Sequence, residues 1–401
     1  MLVNNLSITL IKMPMKPLSP KKLLLAGAGH AHIGLLRRLV AGQLESTDFK
    51  GAAIDIALIS EQPQTIYSGM LPGWMAGHYQ LDDISIDIAS LCRRAGVRFI
   101  QQSIVQVDAA SNMVATTGDE RLALNYDVLS LNTGADTDMR WLDEQDSYAK
   151  TDKDASMNAI SIRPLSGFIT HWQQILIDAR QSNQYKLAIV GAGAAATELV
   201  MAAQVALQRI HPNPQVTLVC GEHLLSGFNP RFQQRVINQL HRHGIQIIQE
   251  RATGYRAGRL STTNDTLLVD AVIAATGVVG SAWTTATDLQ TIDNGFVAVN
   301  AKQQSVSHPN VFAVGDVATR VDQDMAHSGV HAVHGGAVAS DNLLAYLSGE
   351  AMQDYQPKTN TLYLLSCGDK YAIASWGVLS LQGRGLWYVK RYIDKRFVKA
   401  K

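Results

Sequence analysis

Apolar residues along the chain gather in short solid runs, each followed by small residues and then by a 3.6-residue periodic stretch. Residues 22–27 read as a buried strand and 30–42 as a helix, with residues 53–60 ("AIDIALIS") as the next strand. A helix near 83–95, a strand over "VRFIQQSIVQVDA" and a strand "YDVLSLNTG" follow. The plan then restarts: strand 187–190, helix 194–208, strand 215–220, helix 230–243, strands 245–249 and 268–275, the strand in "HPNVFAVGD", and a helix near 329–347. Strand–helix alternation with solidly apolar strands predicts α/β layers around parallel sheets. Residues 61–80 are predicted as a loop, although one too apolar for a plain surface connector, and the polar, acidic residues 136–158 as a hinge.

The two restarts share a turn. "KLLLAGAGHAHIGLLRRL" places Gly27 and Gly29 before His30 and Ala31, and "KLAIVGAGAAATELVMAA" places Gly191 and Gly193 before Ala194 and Ala195. Such a turn brings backbone N–H groups and a helix N-terminus up to a diphosphate. One turn is weak evidence, but two, each opening a long α/β unit, point to two dinucleotides in one chain. The competing reading is a pair of nucleotide-free layers of the same Rossmann-like shape. Later in each half an apolar strand ends in Thr-Gly, at Thr133–Gly134 and Thr276–Gly277. For the ribose acid, the first unit offers Glu61 after Ser60. The second has Cys220 in the acid's place and Glu222 two residues on, with no arginine nearby in sequence. His32 occupies the third small position of the first turn. Either it and His30 face the cofactor, or they bond locally at the helix start. Their HxH spacing lacks a third ligand, so no metal site is expected.

Composition narrows the picture. With 401 residues, 46% of them hydrophobic, the chain is long enough for two or three packed domains. Cys92, Cys220 and Cys367 are isolated in sequence, which fits a reducing compartment and a cytoplasmic setting. No apolar run is long enough to span a bilayer, and residues 1–20 lack the basic region and cleavage site of a secretory signal. Residues 384–401 hold seven Lys/Arg against one acid, while the rest of the chain is mildly acidic. That distribution is unlike a nucleic-acid binder. On a helix, Leu386, Val389, Ile393 and Phe397 fall on one face, as in a basic amphipathic helix suited to an anionic membrane surface; the competing reading docks this helix on the protein's own body.

The paired turns, the two Thr-Gly strand ends and "HPNVFAVGDVA" resemble the FAD-dependent pyridine nucleotide–disulfide oxidoreductase superfamily, from about Lys21 onward. "TIYSGMLPGWMAGHY" and the C-terminal stretch look like its type II NADH dehydrogenase-like branch, and closer still like the flavoprotein module fused to selenide, water dikinase in some bacteria. The resemblance implies two Rossmann-like domains, the second inserted in the first. Residues 21–135 and 292–350 would form the FAD-binding domain and 159–291 the NAD(P)H-binding domain. Residues 1–20 would be an extension and 351–401 a C-terminal segment. It implies that Asp316, after Gly315, bonds the flavin ribitol. Ser328, Gly329 and Val330 would aim a helix N-terminus at the flavin, and Met70, Leu71 and Pro72 would lie against its ring. The redox cysteine pair of the disulfide reductases is missing, so hydride is expected to pass from NAD(P)H to FAD and on to a quinone or other small acceptor. Glu198 resembles the acid that contacts nicotinamide, and His327 and His331, with His334 on the same face, could supply protons. A reductase of a selenium or sulfur species and a flavin-bearing redox sensor are the alternatives. Placement on the inner face of the plasma membrane and a homodimer stay open.

Overall fold

Each glycine turn sits at the end of the central strand of its own five-stranded parallel sheet. The computed structural model describes residues 20–43, 54–118, 123–142, 159–327, 329–358 and 360–400. The N-terminal extension up to residue 19, most of the expected hinge and Ser328 lie outside the described residues. The first sheet holds β1 (Lys21–Ala26), β2 (Ile54–Ile59), β3 (Arg98–Ile100), β4 (Val128–Leu131) and, far along the chain, β10 (Val311–Ala313), in the order β10-β4-β1-β2-β3. The second holds β5 (Ala159–Ser161), β6 (Lys186–Val190), β7 (Gln215–Val219), β8 (Gln246–Ile248) and β9 (Ala271–Ala274), in the order β5-β9-β6-β7-β8.

Both sheets are apolar on both faces because both faces are covered. In the first, Leu23, Leu25 and Phe312 pack under α1 (His30–Val40) and the long C-terminal-half helix α4 (Gly329–Ser348), against Leu36 and Leu343. On the other face Leu24, Ala26 and Leu131 meet Val107, Val114 and Val297 from antiparallel additions. The second sheet buries Leu187 and Ile189 against α3 (Ala194–Gln208) and the helix Leu165–Gln181, which contributes Phe168 and Trp172. Just past the Thr-Gly ends, Asp136–Thr137 and Val278–Val279 pair antiparallel and tie the two halves together.

Three stretches differ from the sequence pattern. The strand expected over "VRFIQQSIVQVDA" splits, since Gln102 N–H turns back to the Ile100 carbonyl at 3.0 Å. Arg98–Ile100 joins the first sheet, whereas Ile104–Asp108 opens a three-stranded antiparallel sheet. The helix near 83–95 is two short helices, Leu81–Ile84 and Ile88–Arg94, parted by the strand Ser85–Asp87. In the apolar loop a tight turn over Ser68–Met70 leads into α2 (Leu71–Met75). The C-terminal segment is an antiparallel sheet of β11 (Tyr363–Ser366), β12 (Ala372–Trp376) and β13 (Leu379–Gly383), followed by α5 (Arg384–Lys399).

Helix α1 approaches α4 closely at Gly336, where an added Cβ would lie 2.8 Å from Ala31 Cα. Gly336→Ala is therefore expected to cost about 1–3 kcal/mol in urea unfolding. Gly34→Ala, where an added Cβ meets nothing within 4 Å, is expected to gain a few tenths to about 1 kcal/mol from helix propensity.

Candidate active site

The first turn is built around Asn132, which follows β4. An added Cβ on Gly27 (φ +89°) would lie 2.5 Å from the Asn132 carbonyl oxygen, and one on Gly29 would lie 2.3 Å from Asn132 Oδ1. The side chain joins three segments: Oδ1 accepts from Ala31 N–H (3.1 Å), and Nδ2 donates to the Val314 carbonyl (2.6 Å). His32 supports the turn from below. It is 1% exposed, its Nδ1–H donates to the Gly27 carbonyl (2.6 Å), and its Nε2 accepts from Ser130 Oγ (2.8 Å). Burial holds its pKa down to about 4, so the ring is neutral. His32 thus bonds locally beneath the turn. His30 stands on the outer side against Tyr67 and Phe397, its pKa lowered by burial.

Both turn helices have a glycine at the N-cap and no acid in the first turn, and on α1 the Ala31 N–H is already taken, by Asn132. That leaves helix-start N–H groups and the positive end of each macrodipole for a ligand. Beside the first turn Thr133 Oγ1 is buried without a partner. At the second, Gly191 (φ +149°) packs so closely that an added Cβ would meet the Ala275 carbonyl at 2.2 Å. Around Gly193 an added Cβ would meet nothing within 4 Å, so Ala194 and Ala195 open a clear face. These are features that a dinucleotide diphosphate fits. Thr276 Oγ1 donates to the Asp138 carbonyl (2.5 Å), so one Thr-Gly end is fastened just past the other. Gly134 (φ +79°) and Gly277 flank that junction. Ser60 N–H is bonded to the Ile100 carbonyl, whereas Glu61 and Glu222 stand exposed at their strand ends.

The late Gly-Asp lies across Asn132 from the first turn. Gly315 and Asp316 line a cavity with Gln303, Met325, His327 and His331, just ahead of Gly329 and Val330 at the start of α4. Asp316 pairs with Arg163 Nη2 at 2.7 Å. Arg163 arrives from the segment after β5, and nothing in its sequence context marks it. His327 stacks on Phe296 (4.2 Å between centroids) and meets Thr319 Oγ1 at 3.1 Å. His331 Nδ1 lies 3.3 Å from the Tyr355 hydroxyl. Burial lowers both pKa values.

Glu198 belongs to a different group. Its Oε1 accepts from Ser366 N–H (2.7 Å), and burial raises its pKa to about 7 against the pull of the Lys390 ammonium. Lys390 Nζ donates to Asp394 Oδ2 (2.9 Å) and to the Gly69 carbonyl (2.7 Å). Asp394 Oδ1 accepts from the Tyr67 hydroxyl (3.2 Å), and burial raises its pKa too. Met70, beside Gly69, is buried with Tyr79 and Trp387, while Leu71 packs with the second sheet's core and Pro72 is buried beside it. The loop therefore bridges the two halves and the C-terminal segment. Sequence reading missed Lys390 and Asp394 because it followed the aliphatic face of α5, read as turned to a membrane surface or, in the competing reading, docked on the body. Trp387, Lys390 and Asp394 face the protein, together with the half-buried Leu386 and Phe397. Val389 and Ile393 are exposed beside Tyr388 and Tyr392.

Comparison with known proteins places this geometry. The family model described as pyridine nucleotide-disulphide oxidoreductase matches residues 21–336. An NADH oxidase of Lactococcus lactis subsp. cremoris is 28% identical over 265 residues, covering 62% of this chain and 55% of the oxidase, so the chain spans about half of that relative's length. Among solved structures, the NDH2 of Plasmodium falciparum in complex with NADH superposes with a TM-score of 0.76 at 14% identity, covering 94% of this chain and 96% of that one. The sulfide:quinone oxidoreductase of Aquifex aeolicus gives 0.75 at 16%, covering 95% and 92%. At such identities the superpositions speak for the fold.

The buried neutral His32 makes a pH prediction. Between its unfolded pKa of 6.5 and its folded value of about 4, only the unfolded chain binds the proton. Stability should therefore fall as pH drops through that window, by up to about 3 kcal/mol. In His32→Gln the urea midpoint should vary less between pH 6.5 and 4.5. An unchanged slope would refute the assignment.

Proposed function

The chain belongs to the pyridine nucleotide-disulphide oxidoreductase family, and from that premise we propose that it is an NAD(P)H dehydrogenase that passes electrons to a quinone at a membrane surface. Its cofactors are FAD and NAD(P)H; bound FAD would supply a hydride acceptor for the nicotinamide and an electron donor for a second acceptor. The carrying observation is the pair of glycine-turn helices, without acids in their first turns, on two parallel sheets whose Thr-Gly ends are fastened together. We assign the FAD diphosphate to Gly27, Gly29, His30 and Ala31, with Thr133 and Gly134 beside it and Glu61, after Ser60, at the ribose. Asp316, held by Arg163, faces the ribitol. Gly329 and Val330 start the helix that points at the ring, and Met70, Leu71 and Pro72 wall it. Gly191, Gly193, Ala194 and Ala195 take the second diphosphate, next to Thr276 and Gly277. We propose 159–291 as a domain inserted between 21–135 and 292–350, which the two sheets support, with one correction. Trp283 and Leu289 pack in the first sheet's core and Asp288 accepts from Ala109 and Ala110 N–H, so the insertion ends before them.

The chain's own residues supply protons. Glu198, with a pKa near 7, holds or releases a proton at working pH, and Lys390 beside it stabilises the ionised form. His327 and His331 line the cavity with Asp316, and burial lowers their pKa values, so there they can take up and pass on a proton. The three cysteines are free and buried, and burial pushes the thiols up, Cys92 to about 11. That favours a route without a redox disulfide.

The exposed side of α5 supports the membrane part of the reading. Tyr388, Val389, Tyr392 and Ile393 stand in solvent beside Arg396 and Lys399, and the neighbouring hairpin exposes Trp376, Val378, Leu379 and Leu381. Aromatic and aliphatic tips with basic neighbours suit an anionic interface. No described helix is long and apolar enough to cross a bilayer.

Two measurements test this. Acceptor turnover that draws on the Glu198 proton should fall as pH rises through about 7. Glu198→Gln should lower it roughly 100-fold and remove that inflection; an unchanged pH profile would refute the role. Separately, Tyr388→Ser/Tyr392→Ser/Ile393→Ser should lose binding to phosphatidylglycerol-containing vesicles by about tenfold or more, with flavin content unchanged. Equal sedimentation of both proteins with the vesicles would refute the surface.

A further inference from the structure

The second turn rests on β6, and the next strand, β7, ends where the adenosine ribose of a dinucleotide on that turn belongs. A ribose 2′-hydroxyl needs an acceptor there, usually a carboxylate; a 2′-phosphate needs a donor. The strand end holds no buried carboxylate; its one acid, Glu222, lies in solvent two residues past Cys220. Cys220 fills the position, 3% exposed, with Sγ turned to the Gly221 and Ile248 carbonyls at 3.7 Å each. Glu250, just past β8, is engaged elsewhere: its Oε2 accepts from Thr262 Oγ1 (2.5 Å) and Asn264 N–H (3.1 Å). The side chain of Glu222 is 87% exposed, 4.0 Å from His223 Nε2, where water and salt screen it.

The stem of an arginine does reach this strand end, brought by the fold rather than by sequence. Gly221 N–H donates to the Glu250 carbonyl (2.9 Å), which carries Arg251 alongside, its Cγ 3.9 Å from where a Gly221 Cβ would lie. Arg251 is exposed and has no carboxylate partner among the described residues. A free guanidinium matches the paired oxygens of a phosphate monoester and has little to offer a bare hydroxyl pair.

We propose that the second turn takes NADPH in preference to NADH, with Arg251 receiving the 2′-phosphate. This rests on the reading of that turn as the nicotinamide-dinucleotide site and names the substrate within it. Titration calorimetry of the flavin-loaded protein with 2′,5′-ADP and with 5′-AMP isolates the single phosphate. The first should bind at least tenfold tighter. Arg251→Ala should remove that difference without changing 5′-AMP affinity, and Cys220→Asp should shift the preference toward 5′-AMP. Equal affinities in the starting protein would overturn the proposal, as would an Arg251→Ala effect common to both ligands. If flavin is held but neither analogue binds, the reading of the second turn falls as well, a result distinct from a preference for the unphosphorylated ligand.

Discussion

The structure depends on one side chain being shared three ways. Asn132 ends β4 and occupies the spot where the Gly27 turn, the start of α1 and the Val314–Gly315 bend converge. These are backbone segments with N–H and C=O groups removed from water, and each needs a partner. One carboxamide gives an acceptor to the helix start and a donor to the bend, while the glycines leave room for it. His32 does the corresponding work from beneath, donating to the Gly27 carbonyl and drawing its own support from Ser130. A turn fixed from both sides presents its remaining N–H groups in one geometry, which is what recognition of a diphosphate requires.

The C-terminal segment closes the site rather than trailing from it. Phe397 packs at a tilt on Tyr67 and His30, Trp387 lies parallel to Tyr79, and Lys390 reaches the Gly69 carbonyl. The helix that presents tyrosines to solvent on one side therefore supplies Lys390 and Asp394 on the other, to the group around Glu198. Removing the whole segment would take away part of the site together with the exposed surface, so the two roles separate only by substitutions on the outer face.

Much of this was legible in the sequence, for a physical reason: glycine turns, solid apolar strands and helix periodicity are local properties. Both turns, nine of the ten strands in the two sheets carrying them and the bounds of α3 and α4 follow from such signals, while β5 was not expected. What was not legible depends on neighbours distant in the chain. Asn132 and Arg163 look like ordinary strand-end and loop residues until folding sets Val314 and Asp316 beside them. The alternation through residues 98–108 runs on across a bend that sends its two parts to different sheets. On α5 the aliphatic positions suggested one apolar face for a membrane or for docking, yet the inward side is set by Trp387 and the Lys390–Asp394 pair, because Tyr67, Tyr79 and Gly69 offer them partners.

The account stands on the first turn being a nucleotide cradle organised by Asn132. The most direct measurement is the FAD released per chain on denaturing the gently purified protein, alongside an Asn132→Leu variant whose circular dichroism shows it folded. One FAD per chain in the former and almost none in the latter is the expected result. A folded starting protein devoid of flavin, or a folded variant that retains it in full, would contradict the account.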